Sequence, residues 1–152
     1  MKNLGVFIKS ILIPLIVGGI VGIIIFPFMD YNDLIKPFLA PPAILFPIVW
    51  TILYILMGVS YGILKSNLSI DSTSNIIYYS QLFVNALWPI FYFVFKIRLF
   101  SFIWIIILAL LVIAMIVNFY KKNKIAGLLQ VPYLLWVLFA SYLNLFTYIL
   151  NK

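Results

Sequence analysis

The chain has 152 residues, of which 66% are hydrophobic and only 9% are charged, and its formal net charge is +7. Because soluble domains carry about 25% charged residues, this composition excludes an ordinary soluble domain and predicts an integral membrane protein. Cys, His and Glu are absent, which excludes disulfides, thiolate metal sites and the common acid–base constellations. We therefore expect no metal ion and no other cofactor. The basic residues lie between apolar runs, where they are expected to meet membrane lipid rather than nucleic acid.

Five charge-free runs divide the chain, and each is close to or above the roughly 20 residues that a helix needs to cross a bilayer. Residues 102–117, for example, are apolar on every side and lack the alternation of a β-barrel strand, so helices are predicted. The expected fold is an all-α bundle of five transmembrane helices in a single domain over residues 1–152, with sequential helices as antiparallel neighbours. The runs are residues 11–29, 37–64, 72–95, 99–120 and 125–151.

Five spans place the two termini on opposite sides of the membrane. The N-terminal side would hold six basic residues and the other side four, a bias that favours a cytoplasmic N-terminus. The first loop, at about residues 29–41, would then face outward together with the C-terminus. The expected location is a bacterial cytoplasmic membrane.

Two GxxxG pairs, Gly18/Gly22 and Gly58/Gly62, would allow another helix to approach closely. Packing within one chain is one use of such pairs. Gly19 widens the flat surface of the first helix, so Gly18, Gly19 and Gly22 form the candidate face of a homodimer.

Prolines are expected to shape the second, third and fifth predicted helices. Pro41 and Pro42 suit a helix start, where their missing N–H groups are not needed. Pro47, one turn deeper, is expected to kink the second helix or to free a carbonyl, and Pro89 and Pro132 to act similarly in the third and fifth helices. Bent helices would leave room for a pocket near the outer face.

Aromatic and polar residues recur at the spacing of one helical face in three of the runs. They either bond neighbouring helices or line a cavity for a flat, apolar molecule with some polar atoms. In the cavity interpretation, Trp50 faces Trp136 and Asn85 across the gap. The faces are Trp50, Tyr54, Met57 and Tyr61 in the second run, Gln81, Asn85, Trp88 and Tyr92 in the third, and Tyr133, Trp136, Ala140 and Asn144 in the fifth.

Three segments carry a resemblance to a known family. They are "PPAILFPIVWTILYILMG" (residues 41–58), "QLFVNALWPIFYF" (81–93) and "AGLLQVPYLLWVLFASYLN" (126–144). In this order, on the second, third and fifth of five helices, they resemble the TspO/MBR family, the tryptophan-rich sensory or translocator proteins. The resemblance implies a five-helix bundle, often dimeric, that binds porphyrins, sterols and synthetic benzodiazepine-site ligands.

The resemblance also implies site residues. Some bacterial members degrade protoporphyrin IX in light, which makes Trp50 and Trp136 the candidate catalytic residues. Asp30 and Leu39 stand where the family usually has tryptophans in the first loop. The candidate ligand-binding residues are Phe46, Trp50, Tyr54, Asn85, Trp88, Trp136, Phe139, Ala140, Leu143 and Asn144.

Three functions remain open from the sequence. The leading one is a binding protein or sensor for porphyrins such as protoporphyrin IX, or for similar flat apolar ligands. The alternatives are a light- and oxygen-dependent porphyrin-degrading enzyme and a passive tetrapyrrole transporter. Coupled transport is disfavoured, because no ionisable residue lies in the middle of a predicted span.

Overall fold

The computed structural model describes residues 2–152 as a bundle of α-helices, which confirms the predicted all-α membrane fold. By length and composition, four stretches of the described residues can cross a membrane: Asn3–Phe28, Leu45–Ser66, Arg98–Lys122 and Lys124–Asn151. The remaining bundle helix, Ser72–Pro89, has 18 residues and a more polar sequence. In chain order the helices are α1 (Lys2–Ile25), α2 (Leu45–Ser66), α3 (Ser72–Pro89), α4 (Arg98–Lys122), α5 (Lys124–Leu128) and α6 (Val131–Asn151).

The polarity of α3 is located at its start and on its inner face. Asp71 caps the helix by accepting a hydrogen bond from the Ser74 N–H at 2.8 Å. Lys122, in the last turn of α4, donates to the same carboxylate at 2.8 Å. These hydrogen bonds, from Lys122 first and then from Ser74, lower the pKa of Asp71. Gln81 and Asn85 point inward and are fully buried, so these two polar side chains do not face the lipid.

The bundle closes as a ring of helices. α1 packs against α2 and α3, α4 packs against α3 and α6, and α5 packs against α4 and α2. α2 and α3, expected to be antiparallel neighbours, contact each other through long side chains rather than through closely spaced backbones. The Tyr61 hydroxyl donates to Asn75 Oδ1 at 2.7 Å, and its ring lies 4.5 Å from that of Tyr78.

Glycines set the close contact between α1 and α2. A Cβ added at Gly58 would lie 2.4 Å from the backbone of α1, and one added at Gly18 would lie 2.3 Å from the Tyr54 ring. Both glycines therefore pack within the protomer. A Cβ at Gly19 or Gly22 would meet no atom within 4 Å. Those two positions remain available for the predicted homodimer contact, which stays a prediction.

The prolines do not kink α2 and α6 as expected. α2 begins at Leu45, so Pro47 lies in its first turn, where backbone N–H groups have no partner within the helix. The fifth run is broken after α5, and Pro132 occupies the first turn of α6. Pro89 ends α3 and is followed by a π-helical turn, Ile90–Val94. In the described chain, the prolines of α2 and α6 thus lie in first turns, and Pro14 lies inside α1.

The first loop covers one end of the bundle and meets the C-terminus there, as five spans require. The Asn151 side chain accepts from the Ile35 N–H at 2.9 Å and donates to the Ile35 carbonyl at 2.7 Å. The Tyr142 hydroxyl donates to the Phe38 carbonyl at 2.6 Å, and that of Tyr31 donates to the Pro41 carbonyl. These bonds fix the loop above the helix ends.

Candidate ligand-binding cavity

A cavity of about 590 Å³ opens between α1, α2, α6 and the C-terminal half of α3 with its π-helical turn. This volume lies within the roughly 300–1,000 Å³ that ligand pockets occupy. Phe26, Met29 and Tyr31 close it on the side of the first loop. The lining is mostly apolar and rich in aromatic rings, as expected for a site that accepts a flat hydrophobic molecule.

Eight of the ten candidate ligand-binding residues line this one cavity, although they come from three separate helices. Trp136 and Phe139 are not among the lining residues of the described chain. The eight are Phe46, Trp50, Tyr54, Asn85, Trp88, Ala140, Leu143 and Asn144.

Trp136 lies behind the cavity wall. Its ring is 5.8 Å from that of Phe46, which does line the cavity, and 5.6 Å from that of Phe139. Its indole N–H is buried and has no hydrogen-bond partner within residues 2–152. In this position Trp136 supports Phe46 from the side away from the cavity.

Trp50 does not face Trp136 as expected. Its ring lies 5.8 Å from Tyr54 and 6.3 Å, edge to face, from Tyr133. Asn85 does lie across the interior from α2, because it accepts a hydrogen bond from the Tyr54 hydroxyl at 2.8 Å. The partner of Trp50 on α6 is therefore one helical turn closer to the start of that helix than the sequence pattern indicated.

The polar residues of the stripes form a hydrogen-bonded chain beneath the cavity. Asn85 accepts from Tyr54 and donates to the Tyr133 hydroxyl at 2.6 Å, and Tyr133 donates to Gln81 Oε1 at 2.8 Å. Gln81 Nε2 in turn contacts the Met57 sulfur at 3.3 Å. This chain joins α2, α3 and α6 and satisfies groups that would be costly to bury alone. One N–H of the Asn85 amide is left over, since the amide has two.

A second network holds the side of the cavity nearer the first loop. The Trp88 indole N–H donates to Asn144 Oδ1 at 2.9 Å, and the Ser101 hydroxyl lies 3.0 Å from the same oxygen. Asn144 Nδ2 donates to the Arg98 carbonyl at 2.8 Å. Asn144 is only 1% exposed, and this single amide joins α3, α4 and α6 at the cavity wall.

The sequence pattern missed the contribution of α1. Its glycines indicate a helix-packing surface, and Gly18 does pack against Tyr54, yet Gly19 and Gly22 have open space beside them and also line the cavity. A glycine cluster opposite an aromatic stripe is the sequence signal that predicts such a space. The lining residues of α1 are Leu15, Gly18, Gly19, Val21, Gly22 and Ile25.

A charged cluster stands at the rim, beside lining residues Met29 and Tyr31. Both oxygens of Asp30 accept from Arg98 Nη2 at 2.7 Å, and Lys96 Nζ lies 3.1 Å from Oδ2. Burial raises the pKa of Asp30, but hydrogen bonds from Arg98 and Lys96 outweigh it and hold the pKa below its usual value. An ion pair thus occupies one of the loop positions where tryptophan is usual in the resembled family.

Leu39, at the other such position, is 65% exposed and lies outside the lining. Its backbone adopts a left-handed φ of 72°. Neither departure from the family pattern therefore adds a side chain to the cavity.

The cavity presents mainly apolar surface and few polar groups without a protein partner. No group of three or more His, Cys, Asp or Glu residues comes together in the described part of the chain, so we assign no metal centre. The polar groups of Trp88 and Asn144 already have protein partners. A ligand in this cavity would therefore be selected mainly by shape and aromatic contact.

Comparison with known proteins supports the resemblance. The TspO/MBR family matches residues 10–149. The chain is similar to the tryptophan-rich protein TspO of Archaeoglobus fulgidus, with 42% identity over 80% of this chain and 79% of that protein. It is 32% identical to the tryptophan-rich sensory protein of Cereibacter sphaeroides, over 81% and 77% of the two chains. It is 34% identical to a translocator protein homolog of Schizosaccharomyces pombe, over 92% and 88%.

Proposed function

Because the chain belongs to the TspO/MBR family, we propose that it is a membrane-embedded binding protein and sensor for a porphyrin or a similarly flat, mainly apolar ligand. The observation that carries this proposal is the cavity of about 590 Å³ between α1, α2, α3 and α6. Relatives named as a sensory protein and a translocator protein homolog agree with a role in recognising or passing a membrane-soluble molecule.

The walls of the cavity suit a planar macrocycle. Trp50 and Trp88 are broad aromatic surfaces on different helices, and Gly18 and Gly22 leave the opposite wall flat. Aromatic contacts contribute about 0.5–1.5 kcal/mol each beyond the area that they bury. The spare N–H of Asn85 supplies one directed hydrogen bond, worth roughly 0.5–1.5 kcal/mol net. Sterols and benzodiazepine-site compounds present similar flat surfaces and would compete for the same space.

Titration with protoporphyrin IX in detergent, followed by porphyrin absorbance, tests the proposal. Ala140 is only 3% exposed and lines the cavity, so Ala140→Leu would place three more carbons where the ligand lies. Overpacking of this size costs about 1–3 kcal/mol, which corresponds to roughly 5- to 150-fold weaker binding. Trp50→Phe is expected to weaken binding about two- to tenfold.

Trp104→Phe is the matched control. Trp104 donates to the Val84 carbonyl at 2.8 Å and does not line the cavity. Its substitution is expected to leave porphyrin affinity unchanged. If Trp104→Phe weakens binding as much as Trp50→Phe while Ala140→Leu has no effect, the ligand does not occupy this cavity.

The same titration, repeated under illumination, separates binding from degradation. If the protein only binds porphyrin, illumination should reduce the Soret band no more than it does in buffer without protein. If the protein makes the band disappear faster in light, and Trp50→Phe abolishes this effect, the result would instead support the enzymatic alternative, because Trp50 lines the cavity.

A further inference from the structure

A second recess, of about 380 Å³, lies outside the cavity at the first-loop end of the bundle. It is formed by residues 96–100 at the start of α4 and by Tyr148, Asn151 and Lys152 at the end of α6. None of these residues lines the larger cavity. The recess therefore needs an explanation of its own.

The charge of this recess is unbalanced. Lys96, Arg98 and Lys152 contribute three positive side chains, and the carboxylate that pairs with them is Asp30, bound to Lys96 and Arg98. Lys152 has no hydrogen bond or ion pair to any residue from 2 to 152, and the Lys96 side chain remains 44% exposed. The side chains of Lys96, Arg98, Lys152 and Asp30 sum to a net charge of +2, so an anion would be attracted to the recess.

The start of α4 adds to the positive potential. A helix N-terminus carries a partial positive charge, so cations placed there are unfavourable unless an anion compensates them. The capping position is Ile97, which offers no side-chain acceptor to the first backbone N–H groups of this 25-residue helix. Backbone donors and cationic side chains are thus directed to the same recess.

Lys96 is held there in a strained backbone conformation. Its φ of 56° lies in the left-handed region, which a lysine rarely adopts. The bond from the Ile97 N–H to the Phe91 carbonyl at 3.1 Å fixes this turn, and Lys96 Nζ reaches the Phe28 carbonyl at 3.2 Å. Strain of this kind concentrates at functional sites.

The surroundings indicate what the anion belongs to. Ile97, Leu99 and Phe100 are 45%, 46% and 44% exposed and lie directly beside the cationic recess. At the end of a membrane bundle, an apolar surface next to clustered cations matches the boundary between acyl chains and headgroups. Tyr148, also in the lining, is an aromatic residue typical of that depth.

We propose that this recess binds the phosphate of an anionic membrane phospholipid, such as a phosphatidylglycerol. Lys96, Lys152 and the first N–H groups of α4 hold the phosphate, and the acyl chains lie along Leu99 and Phe100. The site is separate from the porphyrin cavity, and neither proposal depends on the other.

Native mass spectrometry of the full chain, titrated in detergent with phosphatidylglycerol or phosphatidylcholine, tests the site. We expect the wild type to bind one phosphatidylglycerol in preference to phosphatidylcholine. Each of the two recess lysines is expected to contribute about fivefold in affinity, so Lys96→Gln with Lys152→Gln should weaken binding about 25-fold. Lys152→Gln alone should weaken it about fivefold, and it breaks no contact of the described chain.

The matched control carries the same charge change at the other end of the bundle, as Lys121→Gln with Lys124→Gln. This pair is expected to change phosphatidylglycerol affinity less than twofold. Equal losses in the two double variants, or equal affinity of the wild type for the two lipids, would overturn the proposal. Inorganic phosphate is the third arm: displacement of the lipid by an equal concentration of phosphate would mean that the site takes a free anion, and would overturn the lipid assignment.

Discussion

The hydrogen bond between Trp88 and Asn144 offers a sharp test of how the cavity wall is built. Both residues line the cavity, and they are 9% and 1% exposed. In Asn144→Leu the Trp88 indole N–H loses the acceptor that now lies 2.9 Å away. The Arg98 carbonyl also loses a donor, but it keeps the Ser101 hydroxyl at 2.8 Å. The substitution therefore leaves one newly orphaned buried group, which costs about 1–3 kcal/mol.

A double-mutant cycle separates this cost from lost packing. Trp88→Phe removes the indole N–H, so adding Asn144→Leu to it no longer orphans a donor. The double variant is expected to be more stable than the sum of the single losses by about 1–2 kcal/mol. Thermal unfolding in detergent measures this, since 1 kcal/mol shifts the midpoint by about 2–4 °C in a chain of this size. Asn144→Leu alone is thus expected to lower the midpoint by roughly 2–12 °C.

The control cycle combines Asn144→Leu with Trp104→Phe. Trp104 bonds to the Val84 carbonyl and not to Asn144, so these two losses should add to within about 0.5 kcal/mol. If the Trp88 and Asn144 losses are equally additive, the buried hydrogen bond does not fix the wall, and the reasoning from the network fails.

Three further predictions follow from other parts of the bundle. Gly58→Ala is expected to lower the unfolding midpoint by about 2–12 °C relative to Gly19→Ala, because only the Cβ at Gly58 meets the α1 backbone; equal midpoints would contradict the close α1–α2 contact. The pKa of Asp30 is below its ordinary value when folded, so its ion pair stabilises above about pH 4 and is lost as the pH falls through the folded pKa. Asp30→Asn should therefore destabilise at pH 7 but progressively less below pH 4, and a pH-independent difference would refute this. Reporters fused to the two ends should lie on opposite sides, with the N-terminus cytoplasmic; both ends on the same side would exclude five spans.

The helical architecture and most of the cavity could be predicted from the sequence, because residues on the buried face of a helix recur at helical spacing. Polar and aromatic residues at helical spacing identified the inner faces of α2, α3 and α6, and the family resemblance named ten site residues, of which eight surround one space. Their partners could not be predicted, since Tyr133 reaches Asn85 and Gln81 only through its length and rotamer. The sequence pattern indicates which face of a helix is buried. It does not indicate which residues of two neighbouring helices lie side by side.

Helix ends were less predictable. The charge-free run from residue 37 includes Pro41, Pro42 and Pro47, and hydropathy alone does not mark where α2 begins. The break between α5 and α6 falls where Pro132, which has no N–H, cannot donate to the Leu128 carbonyl, but the tertiary contacts that hold α5 are not visible in the sequence. The Ser60 hydroxyl donates to the Ala126 carbonyl at 2.6 Å, and a Cβ at Gly127 would lie 2.6 Å from Tyr120. The ion pair between Asp30 and Arg98 joins residues 68 positions apart, so a local sequence pattern cannot predict it either.

A structure of the protein saturated with protoporphyrin IX would test the central proposal most directly. We predict density for the macrocycle between Trp50 and Trp88, against the flat surface of Gly18 and Gly22, with the Tyr54–Asn85 hydrogen bond retained. Macrocycle density on the outer surface of the bundle, with this cavity empty at full saturation, would contradict the proposal that the cavity is the ligand site.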